Sequence, residues 1–239
     1  MRRLAQLLLL SSVCLAFANG CGDDATHSTT SPAPLATNLL PSPSAAGASA
    51  YDDTALAESM LMTKDDFPRD YLEKRRVIDP AANAFNSCRS DTEQGRTGSA
   101  STDDWLFDGQ SPAISEIVTV FATMSDASVR MESAPALIDC VVKAINDGKL
   151  NEPAIELSGG TSTAISIDAG GERSVAFQVQ SVRMFPGQSA RGTAQYTLVF
   201  VSRGRVVAEI VVRGTGEPFD PAELSDFAQS AVARIQQQQ

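Results

Sequence analysis

Apolar and polar residues alternate through most of the C-terminal half of the chain, which is the pattern of β-strands. The alternation is regular over residues 173–185, RSVAFQVQSVRMF, and residues 192–216 hold two apolar runs that flank Arg203-Gly204. Because glycine allows the tight turn that joins neighbouring strands, the second region predicts a β-hairpin centred on Arg203-Gly204.

Shorter stretches in the middle of the chain predict further strands. Residues 113–123, AISEIVTVFAT, are rich in β-branched side chains, and residues 98–107 form another candidate strand. Residues 151–158 and 161–169 predict two more strands, separated by the turn dipeptide Gly159-Gly160.

Two regions show the three- and four-residue spacing of apolar side chains that is typical of helices. Residues 125–147 predict one or two helices, because Pro135 interrupts the pattern before Ala136. Near the C-terminus, Asp220 can cap a helix and Pro221 suits its first position. The apolar stripe of this last helix consists of Leu224, Phe227, Ala228, Ala231 and Ile235.

The order of these elements predicts the fold class. Runs of adjacent strands without helices between them indicate an antiparallel sheet. We therefore expect an α+β fold, with an antiparallel sheet of about five to seven strands and two main helices packed on one face. This single globular domain would span residues 51–239, which is long enough for a substantial core.

The first residues have the pattern of an export signal. Arg2 and Arg3 precede the uncharged stretch 4–18, which is too short to span a membrane as a helix. Residues 1–20 are thus predicted to be a signal peptide. Two processing routes stay open: cleavage after Ala18, or cleavage before a lipidated Cys21.

The composition beyond Cys21 favours lipidation. Residues 21–50 are rich in Ser, Thr, Pro and Ala, so they predict a flexible tether that cannot bury enough apolar surface to fold. A lipidated cysteine on such a tether is the usual layout of a lipoprotein. We expect the membrane to be a partner through this anchor, with the domain facing outside the cytoplasm; the alternative is a secreted chain.

Charge and cysteine usage agree with an exported domain. The formal net charge of -10 argues against nucleic acid as a partner. Of the four cysteines, Cys14 leaves with the signal peptide and Cys21 is the anchor candidate. Cys88 and Cys140 remain as an even pair, and in an exported domain they are predicted to form a disulfide.

The chemistry available to the domain is limited. His27 is the only histidine and lies in the predicted tether. A nucleophile activated by histidine is therefore not expected, nor a histidine-ligated zinc site. No phosphate-binding glycine motif is present, so we predict no catalytic residue, no metal and no cofactor.

One acidic cluster with an aromatic side chain is a candidate ligand site. Asp104 and Asp108 flank Trp105, the only tryptophan, and such groups can bind a sugar or a cation. The alternative interpretation is a strand end with solvated carboxylates and a partly buried tryptophan.

The complete pattern resembles a known type of exported domain. The likeness is carried by residues 61–71, LMTKDDFPRDY, by residues 118–121, by Cys88 and Cys140, and by residues 203–207. These features are similar to actinobacterial lipoproteins and receptor-kinase ectodomains of the mycobacterial PknH-like extracellular sensor type. The resemblance implies a surface-tethered domain for sensing or binding, without catalysis, and it assigns no functional residue.

The leading hypothesis is therefore a membrane-anchored lipoprotein whose domain binds or senses an envelope ligand or a protein partner. The chain lacks the glycine that the resemblance predicts at Arg69 or Asp70, and it cannot form the second disulfide of the receptor-kinase domain. The alternatives are a structural or assembly accessory of the envelope, or a hydrolase that uses carboxylates without histidine.

Overall fold

The structure of the chain is a computed structural model, which describes residues 50–67, 70–75, 86–89, 93–151, 155–170, 172–185, 187 and 191–238. These residues belong to one compact unit, Ala46–Gln239. The predicted signal peptide, Cys21 and the predicted tether up to residue 49 lie outside the described residues. In the described ranges, no helix is both long enough and apolar enough to cross a membrane.

The described residues form eight strands, four α-helices, one short 3-10 helix and a helical turn at residues 86–89. The strands are β1 (Tyr71–Lys74), β2 (Arg96–Ser101), β3 (Asp104–Phe107), β4 (Ala113–Phe121), β5 (Glu156–Ile165), β6 (Arg173–Met184), β7 (Arg191–Arg203) and β8 (Val206–Thr215). The helices are α1 (Ala50–Ser59), the 3-10 helix Lys64–Asp66, α2 (Met124–Glu132), α3 (Ala134–Asn146) and α4 (Pro221–Gln237).

All eight strands join one antiparallel sheet, which confirms the predicted α+β class. The strand order is β1-β3-β4-β8-β7-β6-β5, and β2 also pairs with β4. The sheet exceeds the predicted five to seven strands because β1 was not predicted; the region 98–107 also divides into β2 and β3 at residues 102–103, whereas two predicted strands join into β5. At the break between β2 and β3, the Thr102 hydroxyl accepts a hydrogen bond from the Glu116 backbone N–H at 2.9 Å.

The helices cover both faces of the sheet, which corrects the prediction that they pack on one face. Helices α1 and α4 cover the face that carries Val199, Val201 and Ile210, here called the α4 face. Helices α2 and α3 cover the face that carries Leu198 and Phe200, here called the α3 face. The reason is that successive residues of β7 and β8 are apolar on both sides, so one helical layer would leave half of this surface exposed.

The predicted turn at Gly159-Gly160 is wrong, because β5 runs straight through both glycines with a shift in register between Ser158 and Thr161. The glycines serve a close approach by α3. A Cβ at Gly160 would lie only 3.0 Å from Ile145 Cγ2. The Asn146 side chain also accepts a hydrogen bond from the Gly160 N–H at 2.8 Å, which fastens α3 to the edge strand.

The predicted hairpin, last helix and disulfide are all present. Strands β7 and β8 pair along their length around the Gly204 turn. Helix α4 begins at Pro221, and the Asp220 carboxylate caps it by accepting from the Ala222 N–H at 2.9 Å. A disulfide joins Cys88, in a helical turn at residues 86–89, to Cys140 of α3.

Candidate ligand-binding cleft

A cleft of about 320 Å³ opens on the α4 face, where β7 and β8 extend beyond the N-terminus of α4. Its walls come from β1, from the end of β3 and the following turn, and from the segment that leads into α4. This volume lies within the range of small-molecule sites. The cleft is thus large enough for a small organic ligand.

The floor of the cleft is built from paired residues of β7 and β8. Gln195 pairs with Gly214, and Thr197 pairs with Val212. Gln195 and Thr197 are 6% and 1% exposed, so polar side chains form a buried base. Because Gly214 carries no side chain, the space above Gln195 stays open; a Cβ there would meet only Ser111 Oγ at 3.7 Å and Pro112 Cβ at 3.9 Å.

The Gln195 side chain is only half satisfied. Its Nε2 donates to the Gly216 carbonyl at 3.0 Å, which orients the amide. Its Oε1 is buried and has no hydrogen-bond partner among the residues that the structure describes. This oxygen has almost no accessible surface, so it belongs to the packed base of the cleft.

Aromatic side chains form one wall of the cleft. Tyr71 and Phe107 pair across β1 and β3 with ring centroids 5.5 Å apart, in an edge-to-face arrangement. Phe219 lies before α4 and packs at 6.3 Å on Phe227. Burial, together with the negative charge of Glu223, raises the pKa of Tyr71 to about 12. The phenol therefore stays protonated and neutral at physiological pH.

The rim of the cleft is acidic. Glu217, Asp220 and Glu223 line it, and all three are exposed. No lysine, arginine or histidine occurs among the described residues that line the cleft. The site thus combines an aromatic wall, a buried acceptor and a negatively charged opening.

The structure does not bring the three residues of the predicted site together at the cleft. Trp105 is buried, and it stacks on Phe67 with ring centroids 4.8 Å apart. Asp104 forms an ion pair with Arg213. Asp108 has a left-handed backbone, with φ at 47°, and its N–H donates to the Asp70 carbonyl. Their predicted role in ligand binding stays a prediction.

The residues of the cleft floor were missed at the level of sequence, although a signal for them exists. In β7, Gln195 and Thr197 precede Val199 and Val201 at the two-residue spacing of one strand face. Polar residues that continue an apolar face mark the place where the covering helix ends. This pattern indicates an uncovered, polar end of the β7–β8 hairpin.

The described residues contain no group of three or more His, Cys, Asp or Glu side chains placed to hold a metal ion.

Comparison with known proteins gives limited guidance. No family of known sequences and no curated protein matches this chain. Among solved structures, the extracellular domain of PknH from Mycobacterium tuberculosis matches with a TM-score of 0.38 and 9% sequence identity. The match covers 77% of this chain and 95% of that domain. At this TM-score the predicted resemblance to the PknH-like sensor type stays a prediction.

Proposed function

We propose that this chain is an exported, non-catalytic binding protein, anchored to the outer surface of the cell membrane through a lipid on Cys21. Its cleft would take a small ligand from the space outside the cytoplasm. The observation that carries the proposal is a cleft of ligand size with an aromatic wall and a polar floor.

The construction of the cleft supports binding as its function. Small-molecule sites are concave and largely apolar, with a few polar groups that fix the orientation of the ligand. Here Tyr71, Phe219 and Val212 supply apolar surface, while Gln195 and Thr197 supply the polar groups. Because β7 and β8 form the centre of the sheet, the polar floor is held rigidly before any ligand arrives.

The proposed location is supported by two independent features. The first is the export signal of the sequence, with Cys21 placed directly after it. The second is the Cys88–Cys140 disulfide, since such bonds persist in oxidising compartments outside the cytoplasm. The intact mass of the chain isolated from membranes should show a diacylglyceryl modification. A Cys21→Ala variant should lose this mass and be released into the medium, whereas an unmodified wild-type chain would contradict the anchor.

The cleft itself can be tested by filling it. Gly214→Val should fold, because a Cβ at this position makes only ordinary contacts, and its methyl groups would occupy the space above Gln195. Gly192→Val is the matched control, since Gly192 lies in β7 and a Cβ added there would meet no atom within 4 Å. Urea unfolding would show that both variants keep their stability.

The measurement is a fragment screen by NMR on the 15N-labelled chain, with cationic, neutral and anionic fragments. We expect at least one fragment class to shift the amide signals of Gly214, Thr215 and the Gln195 side chain. These shifts should disappear in Gly214→Val and persist in Gly192→Val. If no fragment of any charge acts on these signals, or if the filled cleft responds equally, the proposed binding function is wrong.

A further inference from the structure

We propose that the outer edge of β5, over residues 161–165, pairs with the same strand of a second copy of this chain. The two strands would run antiparallel around a two-fold axis at Thr163, so that the sheets of both copies join. Strand β5 contributes no residue to the cleft, so this inference is independent of the proposed binding function.

Strand β5 is an edge strand whose first half is closed by side chains. Among the described residues it pairs with β6 alone. The Asn151 side chain accepts from the Leu157 N–H at 2.8 Å. The Asn146 amide accepts from the Gly160 N–H at 2.8 Å and donates to the Gly160 carbonyl at 3.3 Å. Together with the register shift after Ser158, these bonds keep another strand from pairing with this half.

The second half of β5 lacks such protection within the described part of the chain. Residues 161–164 are all exposed, and no charged residue and no proline occurs from residue 157 to residue 167. Alternate residues of a strand direct their N–H and C=O groups to the same side. Because both groups of Gly160 point outward to Asn146, those of Ser162 and Ala164 also point outward. They form a template for another strand.

The opposite edge of the sheet is protected in the usual way. Strand β1 is only four residues long and ends with the exposed, charged residues Glu73 and Lys74. Short length and charged side chains both discourage edge-to-edge pairing. The uncharged, exposed end of β5 is therefore the edge at which the sheet can be extended.

Charge and symmetry select a second copy as the occupant. The chain has a formal net charge of -10, so two copies repel each other overall. The uncharged run from residue 157 to residue 167 lets them meet without like charges on opposing strands. An antiparallel pair of identical strands also has the two-fold symmetry that is commonest among homo-oligomers. With the axis at Thr163, Ser162 lies opposite Ala164 of the second copy, and the outward groups of both residues are satisfied.

Apolar side chains flank this edge on both faces of the sheet. Phe177 pairs with Ala164 and lies partly buried on the α3 face, whereas Ile165 pairs with Ala176 and lies partly buried on the α4 face. A second copy would cover part of this surface. A pairing over five residues buries less than the about 1,000 Å² that is typical of stable interfaces, so we expect a weak and reversible dimer.

The test uses the two-fold axis, which places position 163 opposite itself. It is made in the mature Cys21→Ala chain, which carries no lipid. Thr163→Asp and Thr163→Lys each bring two like charges together on backbones about 4.5 Å apart, so each variant alone should lose self-association. An equimolar mixture of the two brings opposite charges together and should associate at least as strongly as the wild type. The same exchanges at Ser125, an exposed residue of α2, are the matched control and should leave self-association unchanged.

Self-association is measured by NMR on the 15N-labelled chain in a dilution series up to about 1 mM. The amide signals of Ser162, Thr163 and Ala164 should shift with concentration in the wild type, and the spectra of the variants show whether the fold is kept. The absence of such shifts in the wild type overturns the proposal, as does a mixture that associates no more than its components. Shifts confined to other surfaces, or shifts in β5 that need a different polypeptide, would also overturn pairing with a second copy.

Discussion

The two faces of the sheet each bury one glutamate, and the two glutamates have opposite surroundings. Glu116 of β4 lies on the α4 face with one arginine, Arg234, which it shares with Asp66. Glu209 of β8 lies on the α3 face between two arginines. The two sites are close in the sheet, because Glu116 pairs with Ile210 and Glu209 pairs with Ile117. Glu116 thus shares one arginine with a second carboxylate, whereas Glu209 is shared by two arginines.

On the α4 face, the shared arginine leaves Glu116 only partly compensated. Arg234 donates to Glu116 at 3.0 Å and to Asp66 at 2.6 Å, and the Met62 N–H donates to Glu116 at 2.6 Å. Burial raises the pKa of Glu116 to about 7, with a smaller contribution from the negative charge of Asp66, and Arg234 opposes both. Glu116 therefore changes its protonation state near physiological pH.

On the α3 face, two arginines depend on one carboxylate. Arg89 donates to both oxygens of Glu209 through Nε and Nη2, and Arg130 donates to Oε2 at 3.1 Å. The Arg130 guanidinium lies 5.1 Å from the centre of the Phe200 ring. Burial lowers the pKa of Arg130, and the charge of Arg89 adds to this effect. Glu209 is thus the group that makes burial of both arginines tolerable.

The contrast predicts that the charge ratio within a buried cluster decides which group contributes most to stability. Removal of the charge on Glu116 leaves Arg234 with Asp66 and with the Met60 carbonyl, to which its Nε donates at 2.8 Å. Removal of the charge on Glu209 takes away the carboxylate that both buried arginines share. Since an uncompensated buried charge costs several kcal/mol, equal substitutions on the two faces should have unequal effects.

The largest expected effect comes from removal of the Cys88–Cys140 disulfide, which supports the α3 face. Cys88 directly precedes Arg89, so its bond to Cys140 also holds the helical turn that presents Arg89 to Glu209. Replacing both cysteines by serine should lower the free energy of unfolding by ~4 kcal/mol, because the bond closes a long loop with a sequence separation of 52. Urea unfolding measures the loss. Wild-type protein treated with dithiothreitol should lose the same amount, and a loss below about 1 kcal/mol in either sample would contradict this view.

The second prediction compares the loss of unfolding free energy when glutamate is replaced by glutamine on each face of the sheet. Glu209→Gln should lower the free energy of unfolding by about 3 kcal/mol, because one neutral acceptor replaces a carboxylate between two buried arginines. Glu116→Gln should cost less than about 1 kcal/mol at pH 7, because Arg234 keeps Asp66. Urea unfolding of both variants at the same pH gives the comparison. Equal losses would show that the charge ratio of the clusters does not matter.

These clusters also mark the limit of what the sequence could predict. Strands β6 to β8 and helix α4 follow from local patterns, namely the alternation in β6, the apolar runs that flank the Arg203-Gly204 turn, and the Asp220-Pro221 helix start. The pairing of Cys88 with Cys140 follows from their number in an exported domain. Contacts such as Arg89 with Glu209 cannot be predicted in this way, because 120 residues separate the partners and only the packing of both layers brings them together.

The candidate site was harder still to predict. The sequence predicts a ligand site at Trp105, because this residue is the only tryptophan and has acidic neighbours. In the fold, however, its ring packs on Phe67. The cleft instead depends on an absent side chain at Gly214 and on the end of α4 at Asp220. Both conditions belong to the arrangement of the layers, so they become visible only in three dimensions.

The smallest expected effect is a pH dependence that belongs to the α4 face alone. Glu116 has a pKa of about 7 in the folded chain and an ordinary value of 4.5 when unfolded. Below pH 4.5 both states hold the proton, and the contribution of this group to stability is fully present. Between pH 4.5 and 7 only the folded state holds it, so the free energy of unfolding falls as the pH rises through this window.

The Glu116→Gln variant isolates this contribution, because the pH dependence of all other groups cancels in its difference from the wild type. Between about pH 6 and 7, the wild type should lose about 1 kcal/mol of unfolding free energy relative to the variant, since one proton can change stability by at most ~1.4 kcal/mol per pH unit. Chemical unfolding at half-unit pH steps measures the difference. Glu209→Gln, measured in the same way, gives the matching comparison for the α3 face. A flat difference for Glu116→Gln would mean that Arg234 compensates the buried carboxylate fully, and the two faces would then differ in composition but not in their response to pH.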